Sequence, residues 1–265
     1  MNGFDLSTVT NIYLGSTPVK EVYMGTKLIW PTGAFDYANE YFTIESLEDA
    51  NQIGIVESGR PSISISTDKQ TWTTVTPNAS PTYFITLNAG EKVYIKGSNY
   101  SYNNDAWPTK GYFTSTGRFN VSGNIMSLIY ADDFKNKTTL SSQNDSAFAK
   151  LFYGANKLIS AEHLVLPATK LVFACYMFMF YGCTSLTTAP ELPATKLENY
   201  SYYCMFYGCT SLNYIKMLAT DVSANMCINL WVNGVASSGT FVKDASATLP
   251  TGADGIPDGW TVETV

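Results

Sequence analysis

The sequence predicts a multidomain chain. It comprises an N-terminal β-hairpin module over 1–35, an all-β sandwich over 36–130, an α/β repeat solenoid over 131–238 and a C-terminal cap over 239–265. Three observations carry this prediction. A glycine-marked phrase recurs at Phe152, Tyr153, Gly154; Phe180, Tyr181, Gly182; Phe206, Tyr207, Gly208; and Val232, Asn233, Gly234, with glycines 28, 26 and 26 residues apart. A fixed period in the twenties is the mark of stacked repeats. From about Tyr41 to Leu128 apolar and polar residues alternate, and a ten-residue doublet opens the chain.

The doublet sets Ile12, Tyr13, Leu14, Gly15 against Val22, Tyr23, Met24, Gly25 and closes on Leu28, Ile29, Trp30, Pro31. Each half is a short β-rich run ended by glycine. Together they suggest two or three antiparallel strands, too small to be stable alone and so docked on something else. Ile12, Tyr13, Val22, Tyr23 and Trp30 are the candidate attachment residues.

Alternation in the second region falls on Tyr41–Glu45, Ser62–Ser66, Thr71–Val75, Tyr83–Leu87, Lys92–Lys96 and Arg118–Ser122, between clusters of Gly, Pro, Asn and Asp. Six or seven such strands over about 90 residues fit an Ig-like sandwich. Gly97 to Gly111, rich in Asn, Ser and Tyr and holding Trp107 and Pro108, is the one long loop. Its composition suits an adaptable binding loop.

In the repeats, Leu171, Ala174, Cys175, Phe178 and Met179 follow helical spacing, as do Leu197, Tyr200, Ser201, Cys204 and Met205. Thr195 and Glu198 form a capping-box signature, Thr169 takes the same start position, and Gly182 and Gly208 stand where a helix would stop. A helix of about ten residues, a turn and an extended run such as Thr187–Leu192 or Asn213–Leu218 would make one coil. Cys183 would stack over Cys209 inside, and the segment from Gly239 to Val262 breaks the period as a cap.

The run Leu166, Pro167, Ala168, Thr169, Lys170 recurs at 192–196, and Phe180 to Leu186 recurs as Phe206 to Leu212. This phrase resembles the BspA-like leucine-rich repeat over roughly residues 140–262. The resemblance implies an α/β leucine-rich-repeat solenoid in a surface adhesin of gut bacteria or their phages, binding protein or glycan without enzymatic chemistry. The last copy departs from the pattern at Leu218–Asp221 and Trp231–Asn233. The N-terminal doublet is similar to the start of phage virion proteins, which implies mounting on other virion proteins. A trimer is the assembly expected of a fibre-like phage protein.

Composition sets outer bounds. The chain has 265 residues, 45% hydrophobic and 14% charged, a folded rather than disordered balance. Its net charge is −6 and its only arginines are Arg60 and Arg118, so no basic stripe awaits nucleic acid. The longest uncharged apolar stretch, Leu171 to Cys183, is 13 residues, short of the ~20 that span a membrane, and no membrane insertion is expected. The start lacks a secretory signal pattern. The five cysteines between Cys175 and Cys227 read as buried thiols.

No catalytic set emerges, and neither a cofactor nor a metal site is expected. Ser66, Asp68, Thr71 and Trp72 resemble a single Asp-box with Gln70 in place of its glycine, a structural turn. His163 has no accompanying nucleophile motif. Cys204 and Cys209 lack a second pair for zinc, and the adjacent Asp132 and Asp133 point apart. The candidate ligand-binding residues are Tyr181 and Tyr207, between a buried phenylalanine and the helix-stopping glycine, with Tyr200 and Tyr203 widening the patch. Packing of these rings against neighbouring coils is the competing reading.

The predicted function is therefore that of a non-enzymatic virion surface protein that adheres to the bacterial host or the gut surface. A bacterial cell-surface adhesin and a purely structural capsid or tail decoration are the alternatives.

Overall fold

Strands in the first 30 residues pair locally, four of them in two hairpins where the doublet suggests one unit of two or three. In the computed structural model, β1 (Ile12–Leu14) pairs antiparallel with β2 (Thr17–Val19), and β3 (Val22–Met24) with β4 (Lys27–Trp30). The structure describes the backbone of these four strands and, in full, residues 36–102 and 111–265. Ile12 lies opposite Val19, Tyr13 opposite Pro18, Val22 opposite Trp30 and Tyr23 opposite Leu28. Most of the loop expected between Gly97 and Gly111, with Trp107, lies outside the described residues. The chain divides into two units, Met1–Asp36 and Tyr37–Val265.

In the second unit the alternating region forms two sheets. Its strands are β5 (Phe42–Ser46), β6 (Asn51–Ile55), β7 (Ile63–Ser66), β8 (Thr73–Val75), β9 (Thr82–Leu87), β10 (Lys92–Lys96), β11 (Phe113–Ser115) and β12 (Phe119–Asn124). A short helix, α1 (Ser127–Tyr130), follows, and then β13 (Leu158–Val165), β14 (Tyr214–Met217), β15 (Thr240–Lys243) and β16 (Thr261–Thr264). One sheet has the order β13-β12-β5-β10-β7-β8 and the other β11-β6-β9, an arrangement an Ig-like sandwich could fit. Inward residues of both sheets, among them Phe42, Ile44, Ile53, Ile55, Val93, Phe113 and Val121, are almost wholly buried.

No linker separates this region from the repeats. β13, which follows the first repeat, adds parallel to β12, and Phe152 of that repeat lies 6.0 Å from Phe42 and 5.9 Å from Phe113, ring centre to ring centre. The hydrophobic core is continuous from one region to the other.

The repeats themselves overturn the expected fold class. The chain is mostly β, 30% strand against 6% helix, in a few small sheets, and no α/β leucine-rich-repeat solenoid forms. The segments expected as helices are ribbons of consecutive turns. Their backbone shows why: Ala174, Phe178 and Gly182 have positive φ, as do Tyr200, Cys204 and Gly208, and Met226, Leu230 and Gly234. A residue of left-handed φ at every fourth position cannot belong to a right-handed helix. No helix starts at Thr195, whose carbonyl accepts from the amides of Thr220 and Asp221 in the next copy rather than from one four residues on.

Backbone hydrogen bonds then alternate in direction. Amides of Cys175, Met177, Met179, Tyr181 and Cys183 close turns onto the carbonyl three residues back. Amides of Ala174, Tyr176, Phe178, Phe180 and Gly182 instead donate to the next copy, to Asn199, Ser201, Tyr203, Met205 and Tyr207 at 2.7–3.1 Å. Every second amide thus ties one copy to its neighbour, which satisfies a backbone that has no helix of its own.

The burial pattern separates the two structures. A helix with the expected inner face would have buried Phe178 and exposed Tyr176, yet Tyr176 is 1% exposed while Phe178 is only half-buried. Period four and period 3.6 differ by less than one residue over two turns, so the apolar spacing fits both. β14, β15 and β16 pair parallel in that order, so the segment expected as a cap extends the strand ladder.

Met226 offers a test of the ribbon backbone. It is 38% exposed with φ of 55°. Left-handed φ costs an L-residue about 1–2 kcal/mol, and glycine returns about 0.4–1 kcal/mol of that through its freer unfolded chain. Met226→Gly is expected to raise stability by about 0.5–1 kcal/mol, a thermal midpoint higher by about 1–3 °C. A lower midpoint would contradict left-handed backbone at this position.

Candidate functional site

Turns of four residues divide each repeat into inward pairs and outward pairs. Cys175, Tyr176, Met179, Phe180 and Cys183 are buried, and their counterparts Tyr202, Met205, Phe206 and Cys209 likewise. Inside, Phe152, Phe180 and Phe206 stack at 5.3 and 5.5 Å with ring planes within 13°. Cys183 Sγ donates to the Phe152 carbonyl at 3.0 Å and Cys209 Sγ to the Phe180 carbonyl at 2.9 Å. All five cysteines are free and buried.

Outside, the positions before each left-handed residue line up into columns. Tyr153, Tyr181 and Tyr207 form a face-to-face ladder with ring centres 4.7 and 4.8 Å apart and planes within 4°. That spacing is the distance between hydrogen-bonded strands, as the inter-repeat bonds impose. Phe178 meets Tyr181 at 5.7 Å and Tyr203 at 5.2 Å, Tyr203 meets Tyr200 at 5.5 Å, and Tyr200 meets Phe173 at 5.5 Å.

The structure therefore brings Tyr181, Tyr200, Tyr203 and Tyr207 together on one face. Each is half-buried by its neighbours and half open, and Phe173 is 49% exposed. Sequence reasoning missed Tyr153, Phe173 and Phe178. Tyr153 was visible in the first copy of the repeated phrase, whereas Phe178 becomes outward only with a period of four. At the last repeat the columns end on Asn225, Asn229 and Asn233, and the column of Phe173 begins at Asp145, so polar residues border these ends of the aromatic centre.

Ring geometry decides what such a face can grip. A face-to-face ladder spends the ring faces on each other and leaves ring edges and the row of hydroxyls outward. Protein surfaces take such edges, hydroxyls and half-exposed aromatic area.

The remaining chemical candidates are structural. Asp68 accepts from the amides of Thr71 and Gln70 and from the Ser66 hydroxyl at 2.8 Å each, and these bonds, Thr71 foremost, lower its pKa to about 2. Trp72 lies under Lys96 Nζ at 4.1 Å, and that ammonium also reaches Asp132 at 2.7 Å. Asp132 accepts from Tyr41 at 2.7 Å, and Asp133 pairs with Lys137 at 2.8 Å. Among the described residues no group of three or more His, Cys, Asp or Glu could hold a metal ion. No helix among them is long and apolar enough to cross a membrane. Ile12, Tyr13, Val22, Tyr23 and Trp30 are placed by backbone register alone.

Comparison of the chain with protein-family models, curated proteins and solved structures finds no match.

Buried acids predict an alkaline limit to stability. Burial, the first cause in each case, pushes the Cys175 thiol up to about 12, Cys204 to about 11, the Tyr41 phenol to about 12 and the Tyr176 and Tyr202 phenols well above their ordinary 10.0. These groups keep their protons in the folded chain when the unfolded chain has lost them. Their contribution is complete below the ordinary thiol value of 9.0 and is lost as pH rises from there through about 12. Urea midpoints are expected to stay level to about pH 8.5 and then fall; a midpoint steady to about pH 11 would contradict the burial of these groups.

Proposed function

We propose that this chain is a non-enzymatic adhesion protein displayed on a surface, and that the aromatic face of its repeats is the adhesive patch. The observation that carries this reading is the network of seven half-open rings, Tyr153, Phe173, Phe178, Tyr181, Tyr200, Tyr203 and Tyr207, spread over three copies and bordered by asparagines. Aromatic centres with polar rims are where binding energy concentrates in protein interfaces. Protein is the favoured ligand class, since the ladder of Tyr153, Tyr181 and Tyr207 turns ring edges and hydroxyls rather than ring faces outward.

The display site follows from the N-terminal doublet. Its likeness to phage virion proteins supports mounting on a virion through Ile12, Tyr13, Val22, Tyr23 and Trp30, with a bacterial cell surface as the second setting. Several copies on one particle, as in a trimer, would add weak contacts into firm attachment. The likeness of the repeated phrase to that of surface adhesins supports the same role.

The test uses the purified chain on fluorescent beads, applied to a panel of intact gut bacteria and to mucin-coated wells. Wild-type beads are expected to be retained on at least one of these surfaces. Tyr181→Ser, Tyr203→Ser and Tyr207→Ser combined should cut retention by at least about tenfold, because centre residues of an interface cost about 2 kcal/mol or more each when truncated. Retention no greater than that of bare beads, or equal retention of wild type and a folded triple variant, would overturn the reading.

A further inference from the structure

A second site lies away from the aromatic face, where the strand ladder splits. β13 is bridged to the next repeat at Ser160 and Thr188, with the Ala161 amide donating to the Thr188 carbonyl at 3.1 Å. Beyond that point the two segments part. Residues 163–165 stay with β12, where Ser122, Gly123 and Asn124 pair with His163, Leu164 and Val165. The other segment turns to β14 instead, and Leu192 bridges Met217.

The parting leaves a groove of about 350 Å³ walled by Tyr37, His163, Pro167 and Pro193, with Glu162 and Glu191 on its rim and aliphatic residues 164–166 along its floor. Tyr37 and His163 stack at 4.4 Å with planes 7° apart, which holds the chain's sole histidine in one orientation. Glu191 already attracts a cation, Lys216 Nζ at 2.8 Å. Glu162 is exposed, and among the described residues no ion pair involves it.

The chemistry of the lining selects a ligand. The two charges are both carboxylates, no lysine, arginine or amide side chain lines the groove, and prolines and aliphatic residues supply an apolar bed. With Glu191 paired to Lys216, the open carboxylate of Glu162 beside this bed suits a ligand that donates hydrogen bonds, carries positive charge and offers an apolar stem. We propose that this groove is a binding site for an aliphatic cation, an ammonium or guanidinium on a short alkyl chain. The stem lies along Pro167 and Pro193 and the head pairs with Glu162, as arginine and lysine side chains do when they bury their stems and present their charge. The source is either a free polyamine or a basic side chain of a partner protein.

The single histidine makes the test direct, since every imidazole C–H signal in a proton NMR spectrum belongs to His163. Agmatine titrated into the full chain should shift them saturably, with a dissociation constant on the order of 1–10 mM for so small a ligand. Uncharged 1-pentanol should not shift them, and Glu162→Gln should weaken agmatine at least about fivefold. Because Glu162 is exposed, that variant is expected to fold as wild type.

A capped tripeptide with arginine between two glycines separates the sources. If it binds at least as tightly as agmatine, the ligand is a protein side chain; if agmatine alone binds, it is a free polyamine. The proposal is overturned by no shift up to about 50 mM agmatine, by an equal shift with pentanol, or by a Glu162→Gln variant that titrates as wild type.

Discussion

Phe206→Ala is expected to lower the free energy of unfolding by about 3–5 kcal/mol, the cost of emptying a buried phenylalanine site. Phe206 is 0% exposed and stacks on Phe180 at 5.5 Å, with Trp231 at 6.0 Å on its other side. Phe180 continues the column to Phe152, which packs into the core between the two sheets. A cavity in this column would be closed only by moving one repeat against the next, which the inter-repeat hydrogen bonds resist. The adjacent Tyr207→Ala should cost only about 0.5–1.5 kcal/mol, because it removes one half-exposed stacked ring. Equilibrium urea unfolding of the two variants checks the contrast, and equal losses would mean that residues 206 and 207 do not face opposite ways.

Gly123→Ala is expected to cost about 2–5 kcal/mol, for two reasons that add. Gly123 has φ of 78°, worth about 1–2 kcal/mol to any L-residue. A Cβ there would also stand 2.0 Å from the Tyr41 carbonyl oxygen, a backbone atom that cannot swing aside, and such overpacking adds about 1–3 kcal/mol. The close approach is part of the fold, because Tyr41 bridges Asn124 and the Asn124 amide donates to Glu40 at 2.8 Å. Since neighbouring Ser122 pairs with His163, the variant should also displace the lone imidazole signal. Unfolding at the wild-type urea midpoint would contradict this packing.

Much of the fold was legible because its signals are local. The glycines at 154, 182, 208 and 234 mark the register of the repeats, and all four have positive φ. Strands over 42–46, 63–66, 82–87 and 92–96 lie where alternation predicts them. What misled was a coincidence of periods: four-residue turns and helical turns bury nearly the same positions over ten residues, and the burial of Tyr176 and Tyr202 and the outward Phe178 separate them. β6 was hidden because Asn51, Gln52 and Gly54 break the alternation, and β13 because its partner β12 lies some 40 residues earlier in the chain.

The candidate sites divide in the same way. Tyr181 and Tyr207 were legible because the repeat places equivalent residues in one column, and a column is a sequence property. The groove was not, because Tyr37 and His163 belong to no common motif and meet only where β13 leaves the ladder.

The ribbon of four-residue turns sets Phe178 and the tyrosines outward, and hydrogen-bond scalar coupling across the repeats tests it most directly. In an isotope-labelled sample the Phe178 amide should couple to the Tyr203 carbonyl, 2.9 Å away in the next copy, while the Tyr181 amide couples to the Phe178 carbonyl at 3.1 Å. Coupling of the Phe178 amide to the Ala174 carbonyl, four residues back, would restore the helix and return Phe178 to the interior.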